Sequence, residues 1–425
     1  MSNAFLCAAA ALFLMPGAAF AEAAPPVLDK ADTVWVLVAS LLVLFMTIPG
    51  IALFYAGMVR KKNILSTLAQ SVGICMAASL LWWAVGYSVA FSEGTAFAGG
   101  LSKAFLSGIG VETLSGRIPE ILFAFFQMTF AVLTPALIVG SWAERMKFSA
   151  LLVFTLCWSL LVYAPVCHWV WAADGFFYQM GVLDYAGGTV VHINAGIAGL
   201  AGACMLGRRR GYGTQALAPS NLTLAMMGAS FLWFGWMGFN GGSGLAADGR
   251  AAMAIIATQI AAAAGALSWM AVEWRKRGKP SLLGLISGAV AGLVAVTPAS
   301  GFVLPGAAAA IGLIAGAACF WCVAVLKQRL GCDDALDAFG VHGAGGIIGA
   351  LLTGVFASSA VTGAELPSMG EQLWVQLLSV LATLGYGGAM SFVILWCIKK
   401  TMGLRVSDEA ELVGLDLALH GEKIE

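Results

Sequence analysis

An all-α integral membrane protein with eleven transmembrane helices is the fold class that the sequence predicts, and three observations predict it. Sixty per cent of the 425 residues are hydrophobic and 10% are charged, whereas a water-soluble domain carries roughly 25% charged residues. The charges bound ten windows free of Asp, Glu, Lys and Arg, each reaching the roughly 20 residues that a helix needs to cross the hydrocarbon core. Glycine is abundant, at 53 residues, with no collagen period, which suits helices packed closely in lipid. The same composition argues against other classes. The 22 basic and 22 acidic residues balance and no long basic stretch occurs, so nucleic acid is not the expected main partner. No phosphate-binding Gly-x-x-x-x-Gly-Lys-Ser/Thr loop is present, so no nucleotide-driven engine is expected, and the chain does not read as an enzyme.

From the N-terminus, residues 5–15 are apolar and run into Pro16, Gly17 and Ala19-Phe20-Ala21. This reads as a secretory signal over residues 1–21, although Met-Ser-Asn before it carries no Lys or Arg. Residues 22–400 then form the expected membrane domain. Its charge-free windows are 33–59, 63–92, 121–143, 148–173, 185–207, 211–247, 251–272, 280–326, 338–364 and 372–398. The 280–326 window is long enough for two crossings, and Thr297-Pro298 and Leu304-Pro305 near its middle mark the turn. Residues 401–425 are left as a cytoplasmic tail. When the connections are numbered alternately from a secreted N-terminus, 18 Lys and Arg fall on one side and four (Lys30, Lys103, Arg117 and Arg250) on the other. The basic side is the cytoplasmic one, which puts the N-terminus in the periplasm and the C-terminus in the cytoplasm of a bacterial inner membrane.

A repeat is visible within these spans. Val191-His192-Ile-Asn-Ala-Gly196-Ile197-Ala-Gly199 matches Val341-His342-Gly-Ala-Gly-Gly346-Ile347-Ile-Gly349 at five of nine positions, and each His follows an Asp by eight residues, Asp184 and Asp334. The first segment lies in an inward-running helix and the second in an outward-running one. The expected arrangement is therefore an inverted five-plus-five repeat with helix eleven added, which brings His192 and His342 together near the midplane.

Ionisable side chains inside a span are costly and mark function. His192 and His342 meet that description, while His168 at a helix edge and His420 in the tail read as packing residues. Asp184 admits two readings, a helix cap or a carboxylate that attracts a cation. The aromatics of Phe231-Leu-Trp-Phe-Gly-Trp236-Met-Gly-Phe239-Asn240-Gly-Gly-Ser243 read as core or as pore lining. Trp171 reads as an interfacial belt residue or as a face that holds a cation. Most of the nine Cys, the close pair Cys319 and Cys322 among them, lie inside apolar runs, and they read as small lipid- or core-facing residues.

Four stretches, Asp184 to Ala195, Gly235 to Ser243, Gly278-Lys-Pro-Ser-Leu-Leu-Gly and Asp337-Ala-Phe-Gly-Val-His342-Gly, resemble the ammonium transporters of the Amt/Mep/Rh superfamily, specifically its bacterial Amt branch. The likeness covers nearly all of the chain after the signal. It implies a homotrimer with one pore per subunit and no cofactor or metal. It implies an outer cation site of Trp171, Ser243 and Phe130 supported by Asp184, a gate of stacked Phe130 and Phe239 rings, paired pore histidines His192 and His342, and Trp236 lining the pore. Met128 and Thr129 depart from the residues expected between Gln127 and Phe130. Ammonium and methylammonium are the implied substrates. The tail, which interleaves apolar and charged residues, resembles a regulatory segment. It is expected to lie against Arg208 to Arg210 and Arg275 to Lys279, where a cytoplasmic PII signal protein docks in relatives. The rival readings are an ammonium sensor acting through the tail, a carbon dioxide channel of the Rh kind, and a membrane electron carrier with His192 and His342 as haem ligands.

Overall fold

A computed structural model of the protein describes residues 27–424. The signal call over residues 1–21 lies outside them. Among the described residues ten helices are long and apolar enough to cross a membrane, and one shorter apolar helix completes the eleven. They are α1 (Lys30–Met58), α2 (Lys61–Phe91), α3 (Glu120–Trp142), α4 (Phe148–Gln179, interrupted at 172–175), α5 (Gly188–Leu206), α6 (Leu222–Gly242), α7 (Gly249–Arg277), α8 (Leu282–Val296), α9 (Pro305–Val325), α10 (Phe339–Phe356) and α11 (Met369–Thr401). Local chemistry fixes their starts. Asp29, Asn221, Asp248 and Ser281 cap α1, α6, α7 and α8 with side-chain oxygens. Ser368 and Glu371 form a reciprocal capping box on α11. Two short hairpins, β1 (Gly94–Thr95) with β2 (Ala98–Gly99) and β3 (Leu114–Ser115) with β4 (Ile118–Pro119), fold the connection between α2 and α3.

The long 280–326 window divides as the prolines indicate, into α8, a turn over 297–304 and α9. At 15 residues α8 is about 22 Å long, too short to span alone. It does not have to face lipid along its length, because residues 288–296 are all buried. Its neighbours approach to backbone contact. A side chain on Gly292 would meet the Ala261 carbonyl at 2.1 Å, and one on Gly312 would meet the same carbonyl at 2.3 Å. Small residues four apart on α7, α8 and α9 thus replace the hydrophobic drive that lipid removes.

At the end that carries Arg60, Arg145 and Arg209, a buried ionic ring joins the connections. Glu144 accepts from Arg60 and from Asn63 Nδ2, and lies 3.2 Å from Arg209. Arg209 in turn holds Asp333 at 2.8 Å. Burial pushes the Glu144 carboxyl up, and Arg60 and Arg209 outweigh it, so its pKa sits below the usual carboxylate range.

The tail closes over this ring as α12 (Asp408–Val413) and α13 (Leu415–His420). Lys62 Nζ donates to the Glu411 carbonyl at 2.7 Å, Asn63 accepts from Leu415 N–H, and Asp416 accepts from Ser66 N–H. Arg405 bonds Glu411, which is fully enclosed, and also the Leu206 carbonyl at 2.8 Å. The tail is therefore a packed element. Its partners are residues 62–66, 145–147 and 206–210, whereas Arg277 is paired with Glu273 inside α7.

Candidate functional site

Two short segments meet in the middle of the bundle. Each begins not as a regular helix but as a wide turn, with His192 N–H bonded to Gly187 O and Ala344 N–H bonded to Phe339 O, five residues back. Such turns leave N–H groups unpaired at their starts, and a carboxylate satisfies them in both halves. Asp184 accepts from Gly187, Gly188 and Thr189 N–H at 2.9, 2.6 and 2.8 Å, and from the Thr189 hydroxyl. Asp334 accepts from Ala338 and Phe339 N–H at 3.1 and 2.9 Å, and from the Ser141 hydroxyl at 2.7 Å.

The segments cross where the repeat has glycine. A side chain on Gly196 would meet Gly343 Cα at 2.4 Å, and one on Gly346 would meet the Ile193 side chain at 2.9 Å and His192 Cβ at 3.1 Å. Residue 193 corresponds to residue 343, so the contacts are reciprocal, as a two-fold axis in the membrane plane requires. The close crossing brings the two imidazoles together. His192 Nδ1 and His342 Nδ1 are 3.3 Å apart, with the rings nearly parallel at 22°. His192 Nε2 is buried without a hydrogen-bond partner among the described residues.

An aromatic column continues from this pair. Phe239 lies 6.1 Å from the His192 ring and 4.3 Å from Phe130, and Phe130 makes an edge contact with Trp171 at 5.7 Å. Phe130 and Phe239 are 1% and 0% exposed, so their rings close the column where they stack. Trp171 Nε1 donates to the Asp184 backbone oxygen at 2.9 Å, which ties this end of the column to the capped turn. Trp236 stacks on His192 at 5.5 Å and is held by its Nε1 donating to Thr297 Oγ1. Ser243 stands one turn beyond Phe239, its hydroxyl bonded back to the Phe239 carbonyl at 2.8 Å. Thr129 is buried and bonds the Phe126 carbonyl, so its hydroxyl is satisfied within α3.

The two ends differ. Trp171 borders a vestibule of about 410 Å³ that also holds Glu93, Glu120 and Asp174 against one Lys, Lys103. On the far side of His342 a cavity of about 20 Å³, lined by Phe54, Tyr55, Val341 and Asp337 among others, adjoins one of about 230 Å³ that shares Asp337 and also holds Glu273 and Arg277. The repeat explains part of the contrast. Gly187 and Asp337 occupy equivalent positions, and both have left-handed backbones, φ +115° and +62°. A side chain at Gly187 would press on Val191 and reach the Trp171 ring at 3.4 Å, whereas Asp337 projects one that pairs with Lys327 at 2.6 Å.

Several participants were not legible beforehand. Thr297, read only as part of a turn, positions Trp236. Cys204 and Cys332, read as isolated small residues, are disulfide-bonded with Cα atoms 5.4 Å apart. His168 is buried between the Ala90 and Thr95 carbonyls at 2.9 and 2.8 Å, tying α4 to the first hairpin. His420 packs edge-on against Phe148. The two Nδ1 atoms, 3.3 Å apart, are closer than the about 4 Å between two nitrogens on opposite faces of a haem iron.

A family model described as the Ammonium Transporter Family matches residues 34–424. The chain belongs to the ammonium transporter family. Its match runs through α1 to α11 and the tail together. It is 48% identical to an ammonium transporter of Bacillus subtilis (strain 168), over 93% of this chain and 98% of that one. It is 50% identical to an ammonium transporter of Aquifex aeolicus (strain VF5), over 95% of each. Among solved structures it is similar to Mep2 of Saccharomyces cerevisiae, with a TM-score of 0.83, 38% identity, and coverage of 90% of this chain and 88% of that one. As a member of the ammonium transporter family the chain is a multi-pass membrane protein, and the relatives named here are transporters rather than enzymes.

Proposed function

We propose that this ammonium transporter concentrates ammonium at the Trp171 mouth, removes its proton there and conducts ammonia past Phe130 and Phe239 along His192 and His342. The observation that carries the reading is the imidazole pair at 3.3 Å with His192 Nε2 unbonded. A single hydrogen fits between the facing Nδ1 atoms, so one ring donates and the other accepts. Each neutral ring has one N–H and one lone pair, so one Nε2 is left as an acceptor and the other as a donor. That pairing suits a small neutral molecule that both gives and takes hydrogen bonds. An unhydrated cation would instead have to pass two buried phenyl rings at a cost of several kcal/mol or more. Potassium cannot shed its charge, and ammonium can.

The outer vestibule supports recruitment. Its three carboxylates and one Lys favour cations, and aromatic faces such as Trp171 and Phe130 add about 0.5–2 kcal/mol per contact. The Asp184 carboxylate faces N–H groups of its own turn, so its support of the site runs through that turn, whose Asp184 backbone oxygen holds the Trp171 indole. The lysine and arginine bias supports a cytoplasmic C-terminus and ionic ring.

Purified protein in liposomes should take up labelled methylammonium saturably without ATP, and an ammonium pulse should give flux where potassium gives none. A current accompanying uptake identifies net ammonium transfer, and uptake without current identifies ammonia. No uptake above protein-free liposomes, with correctly inserted protein, would sink the reading.

The homotrimer and the PII partner implied by the resemblance belong to the same proposal. The docked tail and the exposed basic side offer the surface on which a PII protein would close the pore when nitrogen is plentiful. A pull-down with the host's PII protein, with ADP and with 2-oxoglutarate, should show nucleotide-dependent capture. Capture in neither condition removes the partner, and capture unchanged by deletion of residues 403–425 removes the tail from the contact.

A further inference from the structure

We infer that Cys204 and Cys332 form a thiol–disulfide switch that clamps the two repeats together at the cytoplasmic mouth and slows transport when oxidised. This rests on the orientation and transport reading above. Cys204 lies in the last turn of α5, the helix that begins at the His192 turn, and Cys332 lies two residues before Asp334, the cap of the His342 turn. Their Cα atoms are 5.4 Å apart across 128 residues of chain, within the range that a disulfide spans without backbone movement. The bond therefore ties one half of the repeat directly to the other, next to Asp337 and the narrow cavities on the inner side of His342.

The equivalent place on the outer side is built differently. Residues 182 and 354 correspond to 332 and 204, and they are Val and Gly. There a glutamine from the unrepeated helix α11 does the tying. Gln376 accepts from Leu183 N–H at 2.8 Å and donates to the Leu183 and Ala350 carbonyls at 2.8 and 2.9 Å. A neutral hydrogen-bonded tie is insensitive to redox state, and a cysteine pair is not. A disulfide facing the cytoplasm is an unusual place for a permanent crosslink, because thiols there are kept reduced, and cysteine pairs in that compartment mostly act transiently or as sensors.

The chemistry is thiol–disulfide exchange. The thiolate of one cysteine attacks a small oxidised disulfide and releases one thiol. The second cysteine, as its thiolate, then attacks the mixed disulfide, forms the Cys204–Cys332 bond and releases the other. Two protons leave the protein and the two electrons reside on the reduced small thiols. A dithiol reverses the sequence. When the pair is reduced, the loop over 331–337 loses its covalent tie to α5 and is held by Arg208, Arg209 and Arg145, by the Lys327–Asp337 pair and by the end of α3, so the inner cavities beside it can widen.

The test uses the full chain in a Cys7→Ser, Cys397→Ser background, which removes Cys7 and the thiol that is exposed among the described residues, reconstituted in liposomes. Oxidised glutathione and dithiothreitol set the redox state, and mass spectrometry of alkylated peptides reads it. Methylammonium uptake should be at least three-fold slower when oxidised and recover on reduction. Cys204→Ser and Cys332→Ser should hold the reduced rate in both buffers. Hydrogen exchange over residues 331–338 should rise on reduction in the parent and not in the variants. Equal uptake in both states with the disulfide confirmed, an equal response in Cys204→Ser, or failure of the bond to form would each overturn the switch. If no state transports, the transport reading fails instead, and hydrogen exchange still decides whether the clamp exists.

Discussion

Replacing either pore histidine with leucine should lower methylammonium uptake at least ten-fold or admit potassium, and replacing both should do no more than the worse single change. The expectation follows from the 3.3 Å contact between the two Nδ1 atoms. Each ring fixes the tautomer of the other, so removing one leaves its neighbour free to turn and its buried Nδ1 without a partner. Partners in one hydrogen-bonded pair couple, and their losses do not add. Uptake and potassium current measured on His192→Leu, His342→Leu and the double variant read the coupling directly. A double variant whose loss equals the product of two modest independent losses would show that the rings act separately.

The second large effect concerns folding. Asp184→Ala should give protein that is barely recoverable or has a strongly lowered Tm, because the N–H groups of Gly187, Gly188 and Thr189 and the Thr189 hydroxyl all lose their acceptor in a buried place. Each unsatisfied group costs about 1–3 kcal/mol, and the sum is comparable to the whole stability of an ordinary domain, about 5–15 kcal/mol. Asp184→Asn keeps one acceptor oxygen and should fold with an intermediate Tm. Thermal unfolding in detergent separates the three proteins. An Asp184→Ala protein that melts within a few degrees of the parent would contradict the capping role. A folded Asp184→Asn protein that fails to transport would assign the negative charge a part in recruitment beyond the cap.

Much of this architecture is written in the chain at short range. Charges at each helix end, prolines at 298 and 305 and the matching His segments carry the helix count and the inverted repeat, because each is a local composition or a literal recurrence. The short α8 is less legible, since its length is permitted only by neighbours that bury it. At the site, the twin histidines are visible as costly residues in repeated positions. Asp184 is visible as a cap or as a charge, and only the direction of its oxygens separates the two. Thr297 is not legible, because a threonine in a turn carries no mark of the indole it holds 61 residues away. The Cys204–Cys332 pair is hidden for the same reason. Each cysteine sits in unremarkable surroundings, and only the fold makes them neighbours.

The Gly187 and Asp337 difference has a kinetic meaning. One fold supplies both ends, yet one is a broad aromatic and acidic basin and the other a narrow passage beside an ion pair that leads into a smaller cavity. Such mouths load at different concentrations, so half-saturation seen from the two faces is unequal. A path with no coupled energy source nevertheless obeys detailed balance. With equal electrochemical potential on both faces, the ratio of maximal flux to half-saturation concentration is the same in each direction. The face that captures substrate more tightly must therefore have the lower maximal rate, in the same proportion. The unlike mouths set the concentration range in which each face responds, and the gradient alone sets which way the substrate goes.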